Sequence, residues 1–104
     1  QSNYMQVLQP LLDRLNPKAI VRAKANCYQR SEKLHQHNFH IDGDYEHNLS
    51  ILSINTCDGF TVLEDGTKIE SKRNRLLTIN GSKKHASTTC TNTQNRINIG
   101  VNYF

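Results

Sequence analysis

The side-chain pattern changes its period at Pro17, and this change constrains the fold more than any other feature of the chain. Before Pro17, apolar side chains recur at helical intervals and form one stripe along a helix from about residue 3 to about residue 15. The stripe consists of Met5, Leu8, Leu11, Leu12 and Leu15. Pro10 lies within this segment, so we expect the helix to bend or to divide into two short pieces.

Beyond Pro17 the period is two, which predicts β-strands. Alternate residues from Ile20 to Tyr28 fall on one face of the first strand, and those from Val21 to Cys27 fall on the other. Further strands are predicted at residues 49–55, 60–63, 67–69, 75–79 and 96–103. The segments 64–66 and 80–81 end in Asp-Gly and Asn-Gly, which favour tight turns. This pattern predicts a mainly β sandwich or barrel with one helix packed against it.

Length and composition limit the possible classes of protein. A chain of 104 residues supports one hydrophobic core, so we expect a single domain over residues 1–104, with a β core from about residue 19. Its apolar runs are far shorter than the ~20 residues that cross a bilayer, which argues against a membrane protein. Thirteen basic and nine acidic residues leave a net charge of +4. The basic residues are dispersed, which favours a solvated surface over nucleic-acid binding.

The cysteines indicate a reducing environment. Cys27, Cys57 and Cys90 are odd in number and widely spaced, which fits neither a disulfide framework nor a structural zinc site. The N-terminal segment lacks the basic and apolar regions of a secretory signal. We therefore expect three reduced thiols, buried as small apolar side chains, in a cytoplasmic protein.

The candidate metal ligands begin with His40-Ile41-Asp42, on what the pattern suggests is a strand. Side chains two residues apart on a strand point to the same face, so His40 and Asp42 can bind one ion together. His85, on a later strand beyond the Asn80-Gly81 turn, is the candidate third ligand. Two imidazoles and one carboxylate on one face of an octahedron leave three positions open, as in non-haem Fe(II) oxygenases.

Arg96 strengthens the oxygenase interpretation. It follows His85 by eleven residues and begins the last predicted strand. A permanently charged, forked donor near the metal is suited to the far end of a dicarboxylate cosubstrate. Without the three candidate ligands, a solvent-exposed charge at a strand end would be the better interpretation of Arg96.

The other histidines and two asparagines leave alternatives open. His35 and His37 form a His-x-His pair that offers a rival, cupin-like metal site, although no Glu follows at cupin spacing. His47 is expected on a solvated loop near the pocket mouth. Asn26 and Asn98 are expected to face the pocket, where they can hydrogen-bond to the cosubstrate or to groups that support the metal ligands. A purely structural role for their hydrogen bonds is the alternative.

The motifs also occur in a characteristic order between about Val21 and Phe104. They are Asn26-Cys27-Tyr28, Phe39-His40-Ile41-Asp42, the segment 50–55, Gly59-Phe60-Thr61, Asp65-Gly66, the segment 74–77, Lys84-His85 and Arg96-Ile97-Asn98-Ile99. In this order and spacing the chain resembles the 2-oxoglutarate and Fe(II)-dependent oxygenases of the prolyl-hydroxylase-like branch. Its compact form and its Asn-Tyr-Phe ending are similar to short oxygenases encoded by tailed phages and marine bacteria. The family fold is a double-stranded β-helix, or jelly roll.

The resemblance implies a role for each matching residue. His40, Asp42 and His85 would bind Fe(II), and Arg96 would bind the C5 carboxylate of 2-oxoglutarate. Tyr28 matches a tyrosine that lies against the cosubstrate. Two positions depart from the family pattern: Ser53 stands where a tyrosine is common, and Gly100 stands where relatives often carry a hydroxyl. Ser53 would contact the cosubstrate through its hydroxyl, without the aromatic ring that the family tyrosine provides.

The expected function is hydroxylation of an aliphatic C–H bond, with a prolyl residue of a peptide as the suggested substrate and with release of succinate and CO2. The expected partners are 2-oxoglutarate, O2 and a peptide or protein. Two alternatives from other classes are a non-catalytic metal-binding β-sandwich, acting as a cupin-like sensor or structural module, and a basic nucleic-acid-binding β-barrel. The oligomeric state is left open.

Overall fold

A computed structural model describes residues 3–104, with side chains described from residue 8 onward. It contains one helix and seven strands within that range. In chain order they are α1 (Asn3–Leu15), β1 (Ile20–Gln29), β2 (Asn48–Ser53), β3 (Phe60–Leu63), β4 (Lys68–Glu70), β5 (Leu76–Asn80), β6 (His85–Ser87) and β7 (Asn95–Tyr103). Among these described residues, no helix has the length and apolarity that a membrane crossing requires.

The helix predicted from the apolar stripe is confirmed, and Pro10 lies inside it without dividing it. Leu8 and Leu11 are buried in a hydrophobic cluster with three residues of β7. These residues are Ile99, Val101 and Tyr103, and Leu12 and Leu15 pack against them. The side chain of Met5 lies outside the described part of the helix. Burial of one helical stripe on β7 therefore attaches α1 to the sheet.

The strands form two antiparallel sheets, in agreement with the predicted jelly-roll β-sandwich. The larger sheet has the order β1-β7-β2-β5, and the smaller has the order β4-β3-β6. On β7, Ile99 and Val101 point toward α1, while Asn98, Gly100 and Asn102 line a cavity on the opposite face. The larger sheet is thus covered by the helix on one face and carries a polar cavity on the other.

The two predicted turns form, for different reasons. Gly66 has a φ of 91° in the β3–β4 hairpin, which is the conformation that favours glycine. At the second turn, Asn80 Oδ1 accepts a hydrogen bond of 3.0 Å from the backbone of Ser82. Gly81 in that turn is needed for space, because a Cβ there would overlap the ring of His47.

Two local expectations are wrong. His40 and Asp42 do not lie on a regular strand: residues 30–47 run irregularly between β1 and β2, and His40 makes one isolated bridge to His85. Cys27 is exposed, whereas Cys57 and Cys90 are buried, and all three are free thiols. The hydrophobic cluster under α1 includes Ala23 from β1 but does not reach Cys27. Alternation identified the face of Cys27 but not how far the helix extends across it.

Candidate metal centre

The structure brings His40, Asp42 and His85 together, with one ligand atom of each within 4.8 Å of the others. The backbones of His40 and His85 pair through two hydrogen bonds of 3.0 Å, which sets the two imidazoles side by side with their ring centroids 4.5 Å apart. Asp42 Oδ1 lies 3.3 Å from His40 Nε2 and 3.4 Å from His85 Nε2. The irregular segment therefore presents the pair 40 and 42 to β6.

These separations suit a shared ion. Both exceed the roughly 2.9 Å of an ordinary N–H···O hydrogen bond. Ligand atoms about 2.1 Å from one ion and at right angles to each other lie about 3 Å apart. His40 is 53% exposed on its side chain, whereas the side chains of Asp42 and His85 are 9% and 6% exposed. The cluster can thus bind an ion from the cavity side and leave positions open.

Outer hydrogen bonds orient two of the three candidate ligands. His85 Nδ1 donates to the Lys83 carbonyl at 2.9 Å, which leaves the Nε2 lone pair facing Asp42. Asp42 Oδ2 accepts a hydrogen bond of 2.9 Å from Asn102 Nδ2, which leaves Oδ1 facing both rings. Such outer partners fix tautomer and orientation in metal sites. The contact of His40 Nδ1 with the Asn38 carbonyl is long, at 3.5 Å.

His47 lies beside the candidate site, and sequence reasoning placed it wrongly. It is buried, not on a solvated loop. Its Nδ1 donates to the Tyr45 carbonyl at 2.9 Å, so its Nε2 can accept the second hydrogen of Asn102 Nδ2, 3.0 Å away. One amide nitrogen thus connects His47 to Asp42. Alternation along β7 was the available signal for Asn102, because residues 96, 98, 100 and 102 share a face.

The protonation equilibria reflect this arrangement. The hydrogen-bonding contact with His85 is the largest influence on the pKa of Asp42; it outweighs burial and, with Asn102 and the charges of both rings, holds that pKa well below the ordinary 3.8. Burial is the largest influence on the pKa of His85 and lowers it. The close contact of its Nε2 with Asp42 Oδ1, the hydrogen bond to the Lys83 carbonyl and the Asp42 charge together outweigh burial, so the pKa of His85 lies above its ordinary value of 6.5.

A cavity of about 230 Å³ opens from the cluster between the two sheets. Asn26 and Asn98 form its wall, and Asn26 Nδ2 donates to Asn98 Oδ1 at 3.0 Å, so the expectation that both face the cavity is confirmed. Apolar side chains of Leu49 and Ile51 line it as well. The remaining lining residues are Arg22, Lys24, Tyr28, His40, Asp42, Thr61, His85, Ala86, Ser87, Gly100 and Asn102.

Arg96 is 1% exposed and does not itself line the cavity, but its guanidinium contacts two residues that do. Its guanidinium Nη1 donates to the Ser87 hydroxyl and, at 3.1 Å, to the Thr88 carbonyl, and Nη2 donates to Thr61 Oγ1 at 3.3 Å. Ser87 and Thr61 both line the cavity. Nε has no hydrogen-bond partner, and within residues 8–104 no carboxylate pairs with this charge. Burial lowers the pKa of the Arg96 guanidinium, which remains charged at neutral pH.

The three positions that the resemblance places near the cosubstrate have different surroundings in the structure. The Tyr28 ring lines the cavity and packs against the Arg96 guanidinium, whose carbon Cζ lies 5.3 Å from the centroid of the ring. Ser53 is buried opposite Asn98 in the β2–β7 register, on the same sheet face, but does not line the cavity. Gly100 lines it, and a Cβ there would have no neighbour closer than 3.9 Å. The structure therefore offers no cavity contact for the Ser53 hydroxyl.

The rival histidine pair lies elsewhere. His35 and His37 are exposed, with ring centroids 5.0 Å apart. His37 packs against Tyr28 at 5.6 Å. Among residues 8–104, one group of three or more His, Cys, Asp or Glu side chains has metal-binding spacing, and it consists of His40, Asp42 and His85. His35 and His37 are not part of it. The cupin-like site considered at positions 35 and 37 thus lacks a third ligand among the described residues.

Comparison with known proteins identifies the fold. No protein-family model matches the chain, and no curated protein sequence is significantly similar to it. Among solved structures, the chain is similar to an RmlC-like cupin protein from Desulfovibrio desulfuricans, with a TM-score of 0.51 and 16% identity over 78% of this chain and 82% of that chain. It is also similar to a cupin protein from Bacteroides fragilis, with a TM-score of 0.56 and 14% identity over 89% of this chain and 72% of that chain.

At these identities the likeness concerns the fold alone. The chain has a jelly-roll β-sandwich fold like that of these cupin proteins. Within it, His40, Asp42 and His85 have the spacing of a group that could hold a metal ion.

Proposed function

We propose that this chain is an Fe(II)- and 2-oxoglutarate-dependent oxygenase that hydroxylates an aliphatic C–H bond of a peptide, with a prolyl side chain as the substrate that the family resemblance suggests. Turnover would convert 2-oxoglutarate and O2 into succinate, CO2 and the hydroxylated product. A cytoplasmic location, which the free thiols favour, belongs to the same proposal.

One observation carries the proposal: among the described residues the buried Arg96 charge has only neutral acceptors, and two of these, Ser87 and Thr61, line the cavity that opens from the His-Asp-His cluster. An isolated buried charge is unfavourable unless a counter-charge compensates it. A dicarboxylate supplies that charge at one end and two metal-chelating oxygens at the other. A site for a metal ion alone has no use for the arginine.

The donor set fits ferrous iron. Two imidazole nitrogens and one carboxylate oxygen are the ligands of non-haem Fe(II) oxygenases, and the open side of the cluster faces the cavity. Bound iron with 2-oxoglutarate would supply the oxidising chemistry, which belongs to the cofactor rather than to the protein. The chain needs no side chain as a general base for this reaction.

The chain's own residues have positioning and binding roles. His85 presents Nε2 because Lys83 holds its Nδ1 proton, and Asp42 presents Oδ1 because Asn102 holds Oδ2. Arg96 would bind the C5 carboxylate together with the hydroxyls of Thr61 and Ser87, which already contact its guanidinium. Charge-assisted bonds of this kind are the stronger ones in proteins.

An anaerobic titration tests the proposal. Fe(II) followed by 2-oxoglutarate should produce the visible charge-transfer band of the chelate in the wild-type protein. His40→Ala should abolish the band. His35→Ala, which removes an exposed histidine outside the cluster, is the matched control and should retain it. The absence of a band at saturating 2-oxoglutarate, or an unchanged band in His40→Ala, would contradict the proposal.

A non-catalytic cupin-type metal-binding module is the second candidate, and the likeness to cupin structures favours it. It accounts for the three ligands but not for Arg96, a buried cation without a carboxylate partner among residues 8–104. Metal binding without any effect of 2-oxoglutarate on the metal's spectrum would support this candidate instead.

A further inference from the structure

The strand β1 forms one wall of the cavity and also the edge of the larger sheet. Within the described residues, β1 pairs with β7 alone, so its outer backbone edge has no strand beside it. Its alternate side chains, at Arg22, Lys24, Asn26 and Tyr28, line the cavity. Two exposed cations therefore enter the cavity from an open sheet edge.

The pairing of β1 with β7 places these cations near the candidate metal centre rather than near Arg96. Arg22 lies opposite Asn102, whose amide holds Asp42, and Lys24 lies opposite Gly100. Residues paired in this way share a face of the sheet. Because Gly100 has no side chain, the cavity floor below Lys24 is open. Arg96 is paired with Tyr28, six residues further along β1 than Arg22.

The charges of Arg22 and Lys24 have no internal counterpart. Asp42 is the one acidic residue that lines the cavity, and within residues 8–104 neither cation forms a salt bridge. When a divalent metal ion and 2-oxoglutarate are both bound, the charge of the metal cancels that of the 2-oxoglutarate dianion, and the Asp42 charge balances that of Arg96. The charges of Arg22 and Lys24 then give the cavity a net positive charge at the place where a substrate would approach the metal.

The open edge of β1 indicates that the negatively charged substrate is a peptide. An extended peptide can add to a free strand edge through backbone hydrogen bonds, with alternate side chains entering adjacent pockets. Inward-pointing charges on an edge strand oppose its pairing with a second copy of the same strand, and the chain has a net charge of +4. The same charges attract an acidic segment. Exposed apolar side chains of Phe39 and Ile41 flank His40 at the rim.

From this placement we infer that the substrate is an acidic peptide segment that binds in extended form along the free edge of β1, with its carboxylates on Arg22 and Lys24 and the target residue over the metal centre. This inference rests on the proposed oxygenase function for its chemistry, but the peptide preference is measurable without turnover.

The test uses fluorescence anisotropy with three labelled probes on the full chain loaded with Zn(II). The probes are a proline-centred peptide flanked by aspartates, the same peptide flanked by lysines, and a single-stranded oligonucleotide of matched charge. At low salt the aspartate peptide should bind at least about tenfold more tightly than the lysine peptide, because several exposed charge contacts act together. It should also bind more tightly than the oligonucleotide, which has the same charge but no peptide backbone to pair with the strand edge. N-methylation of its alternate backbone nitrogens should weaken binding, since it removes the donors that edge pairing needs.

The double variant Arg22→Gln/Lys24→Gln should lose about tenfold in affinity for the aspartate peptide, a loss that two exposed charge contacts explain. Lys72→Gln/Arg73→Gln removes an equal charge from an exposed pair outside the cavity and should change the affinity little. Equal binding of both peptides, equal loss in the two double variants, or tighter binding of the oligonucleotide would overturn the inference.

The anaerobic Fe(II) and 2-oxoglutarate titration separates this inference from the proposed function. Arg22→Gln/Lys24→Gln should retain the charge-transfer band, because Arg96 and the metal ligands are unchanged. A wild-type protein without the band would refute the oxygenase, even if the acidic peptide is preferred. Loss of the band in the double variant would instead assign these cations to the cosubstrate and overturn the inference.

Discussion

The charges at the metal end of the cavity and the charge of Arg96 differ in how far the protein compensates them. At the metal end, the Asp42 carboxylate lies between two imidazoles and accepts a hydrogen bond from Asn102, so its charge is compensated by the protein. At the other end, Arg96 is more deeply buried and has hydroxyl and carbonyl acceptors but no carboxylate within the described residues.

The difference indicates which end depends on a ligand. At the metal end, protons on the two imidazoles can balance the Asp42 charge when no metal ion is bound. The charges at that end are therefore weak evidence that a ligand binds there. The arginine end maintains an uncompensated charge at a cost to stability. Such a group is more informative, because the stability of the fold alone does not explain it.

The largest expected effect is at the metal end. His85→Ala should weaken Zn(II) or Co(II) binding by more than about 100-fold, beyond the range typical of lost outer partners, because it removes a ligand atom itself. Calorimetric titration measures the affinity. His35→Ala, an exposed histidine outside the cluster, is the control. A similar small loss in both variants would show that the cluster does not bind the ion.

Arg96→Met tests the other end directly. The affinity for 2-oxoglutarate should fall about 30-fold, as expected for the loss of charged hydrogen bonds, while the metal affinity stays unchanged. The free energy of unfolding should change by no more than about 1 kcal/mol, because replacing an uncompensated buried charge by an apolar side chain is often neutral or stabilising.

Calorimetry and denaturant unfolding measure these two quantities for Arg96→Met. Arg75→Met is a control, since Arg75 bonds the Glu70 carbonyl outside the cavity. Severe destabilisation with unaltered cosubstrate affinity would make Arg96 a structural residue and remove the contrast between the two ends.

Asn102→Ala should weaken metal binding about tenfold, at the lower end of the range for outer partners, because Asp42 loses the bond that orients it. Asn98→Ala is a matched control: it removes a buried amide of β7 that also lines the cavity but bonds Asn26 rather than a candidate ligand. Equal metal affinity in the two variants would show that Asn102 does not orient Asp42.

Gly100→Ser should tighten 2-oxoglutarate binding by about threefold, the gain expected from one neutral hydrogen bond. The cavity has room for the side chain, since a Cβ at this position lies 3.9 Å from its nearest neighbours. Gly100→Ala fills the same space without the hydroxyl and should give no gain. A loss of affinity in both variants would indicate that the cosubstrate occupies the space above Gly100.

The smallest effect is the pH dependence of the metal-free protein. Because the pKa of His85 is raised in the folded state, its contribution to stability is present below the ordinary pKa of 6.5 and is lost as pH rises through the folded pKa. The contribution of Asp42, whose pKa is lowered, is present above 3.8 and lost at more acidic pH. Thermal unfolding from about pH 6 to about pH 8 should show a decline that Asp42→Asn reduces.

Local patterns were sufficient for much of the fold. The stripe before Pro17 predicted α1, alternation predicted β1, β2, β3 and β7 to within a few residues, and Asp65-Gly66 predicted the β3–β4 hairpin. Spacing also selected the three residues that meet at the cavity. The specific oxygenase activity, the iron and the 2-oxoglutarate stay predictions.

Other features could not be predicted from local patterns. The burial of His47 depends on Gly81 in a distant turn, and its bond to Asn102 joins residues 55 positions apart. The sequence also favoured His40 and Asp42 on a strand, whereas a single bridge to His85 positions them.

The sequence by itself determined the period of each element, and therefore which side chains share a face. The tertiary structure decided what each face meets: β1 became a sheet edge that lines the cavity, Cys27 is exposed, and Arg96 is buried without a counter-charge among residues 8–104. The physical reason is that periodicity depends on backbone geometry over a few residues, whereas burial and charge compensation depend on elements distant in the chain.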